Sequence, residues 1–241
     1  MKLRGYFTKA ELYLWGLSSV AIILSFVLFD RGGLLTLIAS LIGVTSLIFN
    51  AKGNPLGQAL MILFSIMYAV ISYSFAYYGE MITYLGMALP MAVFSLVSWL
   101  RHPYNGNKAQ VEVNVISKKE HVFMWLVTLI VTVVFYFILE YFNTANIIPS
   151  TVSVTTSFVA AYLTFRRSPL YAIGYAANDI ILIVLWVLAS FSDISYISVV
   201  VCFVAFLFND LYGFISWNRM KKKQADNKCK MQRAKCKMRN A

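Results

Sequence analysis

Eight apolar stretches, each close to the length of one bilayer crossing, constrain this chain more than any other feature. They cover 11–29, 33–49, 55–78, 80–100, 122–141, 150–165, 169–191 and 194–217. About 20 helical residues cross a hydrocarbon core of about 30 Å. No water is available there, so backbone groups must pair within the segment, and each run reads as a helix. The run at 150–165 is short; it extends back through Ile147-Ile148-Pro149 or crosses nearly upright. Pro90 should kink the fourth run, because it has no N–H to continue the hydrogen-bond ladder. Composition agrees: of 241 residues, 60% are apolar and 13% charged, unlike a soluble domain.

The charges then orient the helices. Eight crossings leave both termini on one side. If that side is the cytoplasm, it holds all but Arg31 of the 21 Lys and Arg residues. Glu80, Glu140 and Asp193 fall outside, beyond the positive-inside boundary. The net charge of +11 is therefore read as topogenic, with lipid headgroups and not nucleic acid as its partner. No small-x-small cleavage site follows the first run, so it is retained as a span. Cys202, Cys229 and Cys236 form no disulfide framework, and no histidine accompanies them to make a zinc site. The 101–121 connection reads as a cytoplasmic linker, and the basic 218–241 segment as a disordered tail.

The chain contains one unit twice. Lys52-Gly53-Asn54-Pro55-Leu56 matches Arg166-Arg167-Ser168-Pro169-Leu170 at a shift of 114, and Ser98-Trp99-Leu100-Arg101 matches Ser216-Trp217-Asn218-Arg219 at a shift of 118. This divides the chain into 1–32 (basic segment and extra first helix), 33–100 (first three-helix repeat), 101–149 (linker and joining helix), 150–217 (second repeat) and 218–241 (tail). Three is odd, so direct fusion would invert the second unit. The joining helix at 122–141 restores its orientation and makes the repeats parallel, an arrangement that puts a ligand site at their interface.

Candidate ligand residues lie on the last two helices. Tyr171, Tyr175, Asn178, Leu182 and Trp186 share one helical face. Cys202, Phe206, Asn209, Gly213 and Ser216 make a similar stripe, with Tyr212 beside it. Asn178-Asp179 and Asn209-Asp210 place carboxylates within apolar runs, where each costs about 2.5–3.5 kcal/mol on insertion scales unless it faces protein or a wet cavity. Rings, amides and carboxylates together suit a planar, hydrogen-bonding, cationic ligand. Asp179 and Asp210 serve equally as gate or counter-charge. Tyr77, Tyr78, Trp99, Trp125 and Trp217 read as interface anchors at span ends. The only histidines, His102 and His121, lie in the linker, and no hydrolase, zinc-protease or phosphate-loop motif is present. An enzyme is not expected, nor a metal or cofactor.

The pattern Asn209-x-x-Tyr212-Gly213-x-x-x-Trp217 resembles the C-terminal signature of the PnuC vitamin transporters. So do Tyr78-Gly79-Glu80 followed by Pro90, and the arginine-led seventh span carrying Asn178. The resemblance covers about 33–219. It implies an all-α, SWEET-like fold of eight spans in a bacterial inner membrane, with both termini cytoplasmic. It also implies homotrimers and facilitated uptake of nicotinamide riboside, trapped inside by a cytosolic kinase. On this reading Tyr171, Tyr175, Asn178, Asn209 and Tyr212 bind substrate. Asp179, Trp186, Asp210 and Trp217 bind substrate or gate the path. The family's seventh span usually reads Trp-x-x-Trp-x-x-x-Asn, whereas here it is Tyr171-x-x-Gly174-x-x-x-Asn178. Thiamine, riboflavin or a deoxynucleoside therefore stay open as substrates. A proton-coupled carrier using Asp179 or Asp210, and a scaffold or sensor that transports nothing, are the rival classes.

Overall fold

The computed structural model describes residues 6–30, 33–74, 78–144 and 146–239, with the backbone alone at 234, 235 and 237–239. Arg31 and Tyr77 lie outside the described residues. Eight helical segments are long and apolar enough to cross a membrane, and the protein is a multi-pass membrane protein. In order they are α1 (Lys9–Phe29), α2 (Leu34–Ala51), α3 (Pro55–Ser74), a fourth crossing made of α4 (Tyr78–Thr83) and α5 (Leu89–Arg101), then α6 (Lys118–Tyr141), α7 (Ile147–Phe165), α8 (Tyr171–Ser190) and α9 (Ile197–Arg239). The short sixth run does extend back to Ile147, with Pro149 in the first turn, where no intrahelical N–H partner is needed.

Pro90 acts one turn earlier than a simple kink. The stretch Tyr84–Ala88 widens into a π-turn in which the Leu89 N–H donates to the Tyr84 carbonyl. The wide turn accommodates a ladder that Pro90 cannot continue.

Helices α2, α3 and α5 pack together, as do α7, α8 and α9. The two groups meet along the α2–α9 and α5–α7 seams, α6 lies against α7, and α1 covers α9 and α2. At one end, which carries Lys52, Arg166 and Arg167, the seams are locked by two tryptophans. Trp99 Nε1 donates to the Thr164 carbonyl at 2.9 Å, and Trp217 Nε1 to the Asn50 carbonyl at 2.7 Å. Beside them Ser98 Oγ donates to the Phe165 carbonyl and Ser216 Oγ to the Ala51 carbonyl. Each set caps carbonyls at the C-terminal end of a helix, groups that have no partner within it. The two sets recur at the same 114- and 118-residue shifts as the sequence anchors. The indoles meet at 5.4 Å between centroids, and both are fully buried. Trp99 and Trp217 are therefore interior caps and not interface anchors, whereas Trp125 is exposed.

The following turns also match. Gly53 and Arg167 both take a left-handed backbone, at φ 65° and 57°. Asn54 Oδ1 accepts from the Leu56 N–H as Ser168 Oγ does from Leu170. Pro55 then opens α3, where its missing N–H costs nothing.

The 101–121 connection is more ordered than a linker. Pro103–Tyr104 and Asn107–Val111 pair as a hairpin around Asn105-Gly106, both at positive φ, the conformation an Asn-Gly hairpin turn demands. Its end is stitched to both repeat turns, through Val111 N to the Gly53 carbonyl and Asn114 N to the Arg167 carbonyl. It also gives the tail a surface to pack on. Gln224 accepts from the Val113 N–H and donates to the Val111 carbonyl, while Asn227 Nδ2 donates to the Tyr104 hydroxyl. The tail is thus a continuation of α9 through Arg239 and not the disordered segment its charge suggested.

Helix α1 is tied in through Glu11. Its carboxylate accepts from the Thr8 N–H in a capping box, from Lys52 Nζ at 3.0 Å and from the Tyr212 hydroxyl at 3.1 Å. A buried carboxylate is tolerated because all these donors converge on it.

Candidate substrate site

Where the two groups of helices face each other they leave a central cavity. From α8 it is lined by Tyr175, Asn178, Asp179 and Leu182, and from α9 by Phe203, Phe206 and Asp210. From the first group come Asn50, Gln58, Met61, Phe64 and Ser65, and from the fourth crossing Tyr84, Met91 and Ser95. A second cavity lies at the end of the bundle away from the tryptophan caps. It is lined by Tyr68, Glu80, Thr83, Leu185 and Trp186. The two share Tyr84, Ala88, Ser157, Asn178, Leu182 and Phe203, so they adjoin at Asn178.

Asn178 is held by its oxygen. Oδ1 accepts from Ser153 Oγ and Thr156 Oγ1, each at 3.0 Å. Both lone pairs are then used, and the side chain has its two Nδ2 hydrogens left to offer a ligand. Asp179 and Asp210 are both buried and interact with each other across the α8–α9 contact. Asp179 Oδ2 is buried without a protein partner. On the opposite wall Gln58 Nε2 donates to Asn50 Oδ1 at 2.8 Å, leaving Gln58 Oε1 as an acceptor. Close approach there depends on Gly57, where a Cβ would sit 2.2 Å from Asn50 Oδ1 and 2.7 Å from its backbone nitrogen. Gly57→Ala is expected to displace Asn50 and cost about 1–3 kcal/mol. Thermal unfolding in detergent measures this, and a variant as stable as the wild type would refute it.

The stripe expected on α8 therefore borders both cavities. Tyr175, Asn178 and Leu182 face the central cavity, and Leu182 and Trp186 the second one. Tyr171 lies below, fully buried with its ring 5.0 Å from that of Trp217. On α9 the cavity side is one residue away from the expected stripe. Asp210 lines the cavity, whereas Asn209 faces α1 and donates to Ser18 Oγ and the Ala205 carbonyl. Tyr212 also points to α1, at Glu11. Trp217 lies in the cap. The sequence reading missed Asn50, Gln58, Ser65, Ser95 and Tyr84. The 114-residue shift held the signal for one of them, since it carries Ser65 onto Asp179.

Chemically, the cavity joins stacking rings, an amide donor, an amide acceptor and two carboxyl groups. Among the described residues that line it there is no activated nucleophile. Comparison with known proteins decides what kind of molecule has this arrangement. A family model described as "Nicotinamide mononucleotide transporter" matches residues 33–219. The chain belongs to that transporter family. It is 27% identical over 202 residues to a protein of Neisseria mucosa named nicotinamide riboside transporter PnuC, covering 82% of this chain and 76% of the relative. A crystal structure described as the vitamin B3 transporter PnuC superposes with a TM-score of 0.77, at 23% identity, over 91% of this chain and 95% of the other. The resemblance read from the last two spans is borne out, and membership of the transporter family makes the chain a transporter and not an enzyme.

The family also frames the departure at Gly174. A Cβ there would come within 3.0 Å of Ala160 Cα and Cβ, so α7 and α8 touch at this point. Gly174 lines a lateral groove with Trp125 and Leu163 and is absent from the lining of both inner cavities. An indole at this position would therefore meet α7 and not the cavity wall. Gly174→Trp is expected to force α7 and α8 apart and lower the unfolding temperature by several degrees, since overpacking costs about 1–3 kcal/mol. Unchanged stability would show that the indole has room in this chain.

Proposed function

We propose that the protein carries nicotinamide riboside into a bacterial cell by facilitated diffusion, across the inner membrane and from the Glu80 end towards the tryptophan-capped end. Both termini are then cytoplasmic, in keeping with the placement of the basic residues. The observation that carries the choice of substrate is the charge of the path. Among the residues lining the two cavities there are Asp179, Asp210 and Glu80, and no Lys, Arg or His. The family description names a mononucleotide, and the Neisseria relative a riboside. A phosphate would enter beside carboxyl groups with no cation to meet it, which is costly where water is scarce. The riboside carries a permanent pyridinium charge that the aspartate pair complements. Its carboxamide oxygen suits the Nδ2 hydrogens of Asn178, and a ribose hydroxyl suits Gln58 Oε1. The rings of Tyr175, Phe64 and Phe206 supply stacking faces.

The two units are read here as parallel repeats. The matched caps support this, and so do cavity residues that occur in pairs at the two shifts: Phe64 with Asn178, Ser65 with Asp179, and Ala92 with Asp210. In these pairs the amide and the carboxylates all come from the second repeat, which sets the direction the cationic ring faces. The same charge logic supports trapping. Once a cytosolic kinase adds a phosphate, the product loses its fit to the path and net flow is inward. A homotrimer in the membrane completes the reading, and the exposed apolar face of α6 is available for contact between copies.

Thermal stabilisation of the purified protein by nicotinamide riboside, nicotinamide mononucleotide, thiamine, riboflavin and deoxynucleosides tests the substrate. A shift with the riboside and none with the mononucleotide is expected. A shift with thiamine alone would keep the aspartate pair as counter-charge and move the substrate. Asp210→Asn is expected to weaken riboside binding by about tenfold or more, the loss of one buried charge contact. In vesicles without kinase, influx that collapses with an uncoupler would replace facilitated diffusion by proton coupling through the pair.

A further inference from the structure

The second cavity carries a charge that the central site does not use. Glu80 lines it from α4, part-buried, within a membrane-spanning segment. Neither ion pair found among the described residues, Lys52–Glu11 and Arg166–Glu120, involves it. Among the described residues no basic side chain lines this cavity. A carboxylate within a span is retained at a cost of several kcal/mol, so its position calls for a cation. Aromatic rings line the same cavity: Tyr84 one turn further along, Tyr68 with its centroid 5.3 Å from that of Tyr84, and Trp186 from α8. Carboxylate and rings together recognise a flat cation, through opposite charge and through the negative faces of the rings. Tyr84 and Asn178 border both cavities, so the Glu80 cavity adjoins the central one at the Asn178 amide.

We propose that this cavity is an outer subsite that holds the cationic ring of the substrate before it passes to the aspartate pair, with Glu80 as its counter-charge. The proposal rests on the function proposed above, and deepens it by separating capture from central binding. Influx into proteoliposomes tests it with two labelled probes, nicotinamide riboside and its dihydropyridine form, which is uncharged and otherwise nearly the same shape. In Glu80→Gln the apparent KM for the cationic riboside should rise about tenfold, the scale of one lost cation contact. Influx of the neutral form should stay within about twofold, and Glu80→Asp should recover much of the difference, since the charge remains. Equilibrium binding of the riboside to the purified variant should change by less than about threefold, because the aspartate pair is intact. Equal loss for both probes would make Glu80 a structural residue, and no change in either would remove the subsite; both outcomes overturn the proposal. A tenfold loss of equilibrium binding would instead place Glu80 in the central site and also overturn it. Wild-type protein that moves neither probe would remove the function on which it stands.

Discussion

Asn178→Ala is expected to lower riboside uptake by about 100-fold while the protein still reaches the membrane. Two losses combine in this variant. The substrate loses the two amide hydrogens bordering both cavities. A hydrogen bond to a charged or conjugated ligand group is worth about 1.5–3 kcal/mol, which converts to roughly 10- to 150-fold. Part-buried Ser153 also loses its acceptor, and a hydroxyl left unpaired costs up to about 1–3 kcal/mol, whereas Thr156 keeps the Val152 and Ser153 carbonyls. The second loss is structural, so unfolding temperature must be measured beside uptake. Asn209→Ala provides the contrast. Its Nδ2 hydrogens are spent on Ser18 and the Ala205 carbonyl and it is absent from the lining of both cavities, so its effect should fall on stability, with little change in KM among molecules that remain folded. Membrane-resident Asn178→Ala with normal uptake would remove the central site. Loss of ligand affinity in folded Asn209→Ala would show that the α1 side of α9 takes part in binding.

The second large effect is expected at the tryptophan caps. Trp217→Ala should destabilise the protein by about 3–5 kcal/mol, the usual cost of removing a buried indole. Trp99→Ala should cost a similar amount, since the two rings occupy matched positions and each caps the other group's first helix. Trp217→Phe keeps a ring and loses the hydrogen bond to the Asn50 carbonyl, so it isolates a loss of about 1–2 kcal/mol. Asn50 also holds Gln58, so the Phe variant should weaken substrate binding as well as stability, whereas Trp99→Phe should affect stability alone. Unfolding in detergent with and without the riboside separates these effects. Equal ligand stabilisation in both Phe variants would show that the cap and the cavity are independent.

Much of this was legible because a membrane leaves the backbone little choice. Eight apolar runs became eight crossings since hydrocarbon offers no partner for a free N–H or carbonyl, and the short run at 150–165 grew to Ile147 for the same reason of length. The repeat anchors were visible because the turns need particular residues: left-handed backbone at 53 and 167, then a side-chain oxygen, then a proline. Asn178 and Asp179 stood out because polar groups in a span must face something polar.

Periodicity alone did not assign the facing of α9. Asn209 and Asp210 are neighbours, about 100° apart on the helix, and either could have met the cavity. The extra helix α1 decided it, by offering Ser18 to the amide and leaving the carboxylate for the interior. Trp99 and Trp217 have the look of interface anchors, and only the crossing of the two seams buries them on carbonyls far away in sequence. Gln58 and Asn50 are unremarkable in the chain, and gain meaning from the cavity wall they share with residues of α8 and α9. The basic tail looked too charged to fold, yet the hairpin at 103–111 meets it through Gln224 and Asn227. The sequence by itself determined the crossings and the kind of polar group carried inside. The tertiary structure decided which side chains share a cavity, because that depends on which helix face each neighbour covers.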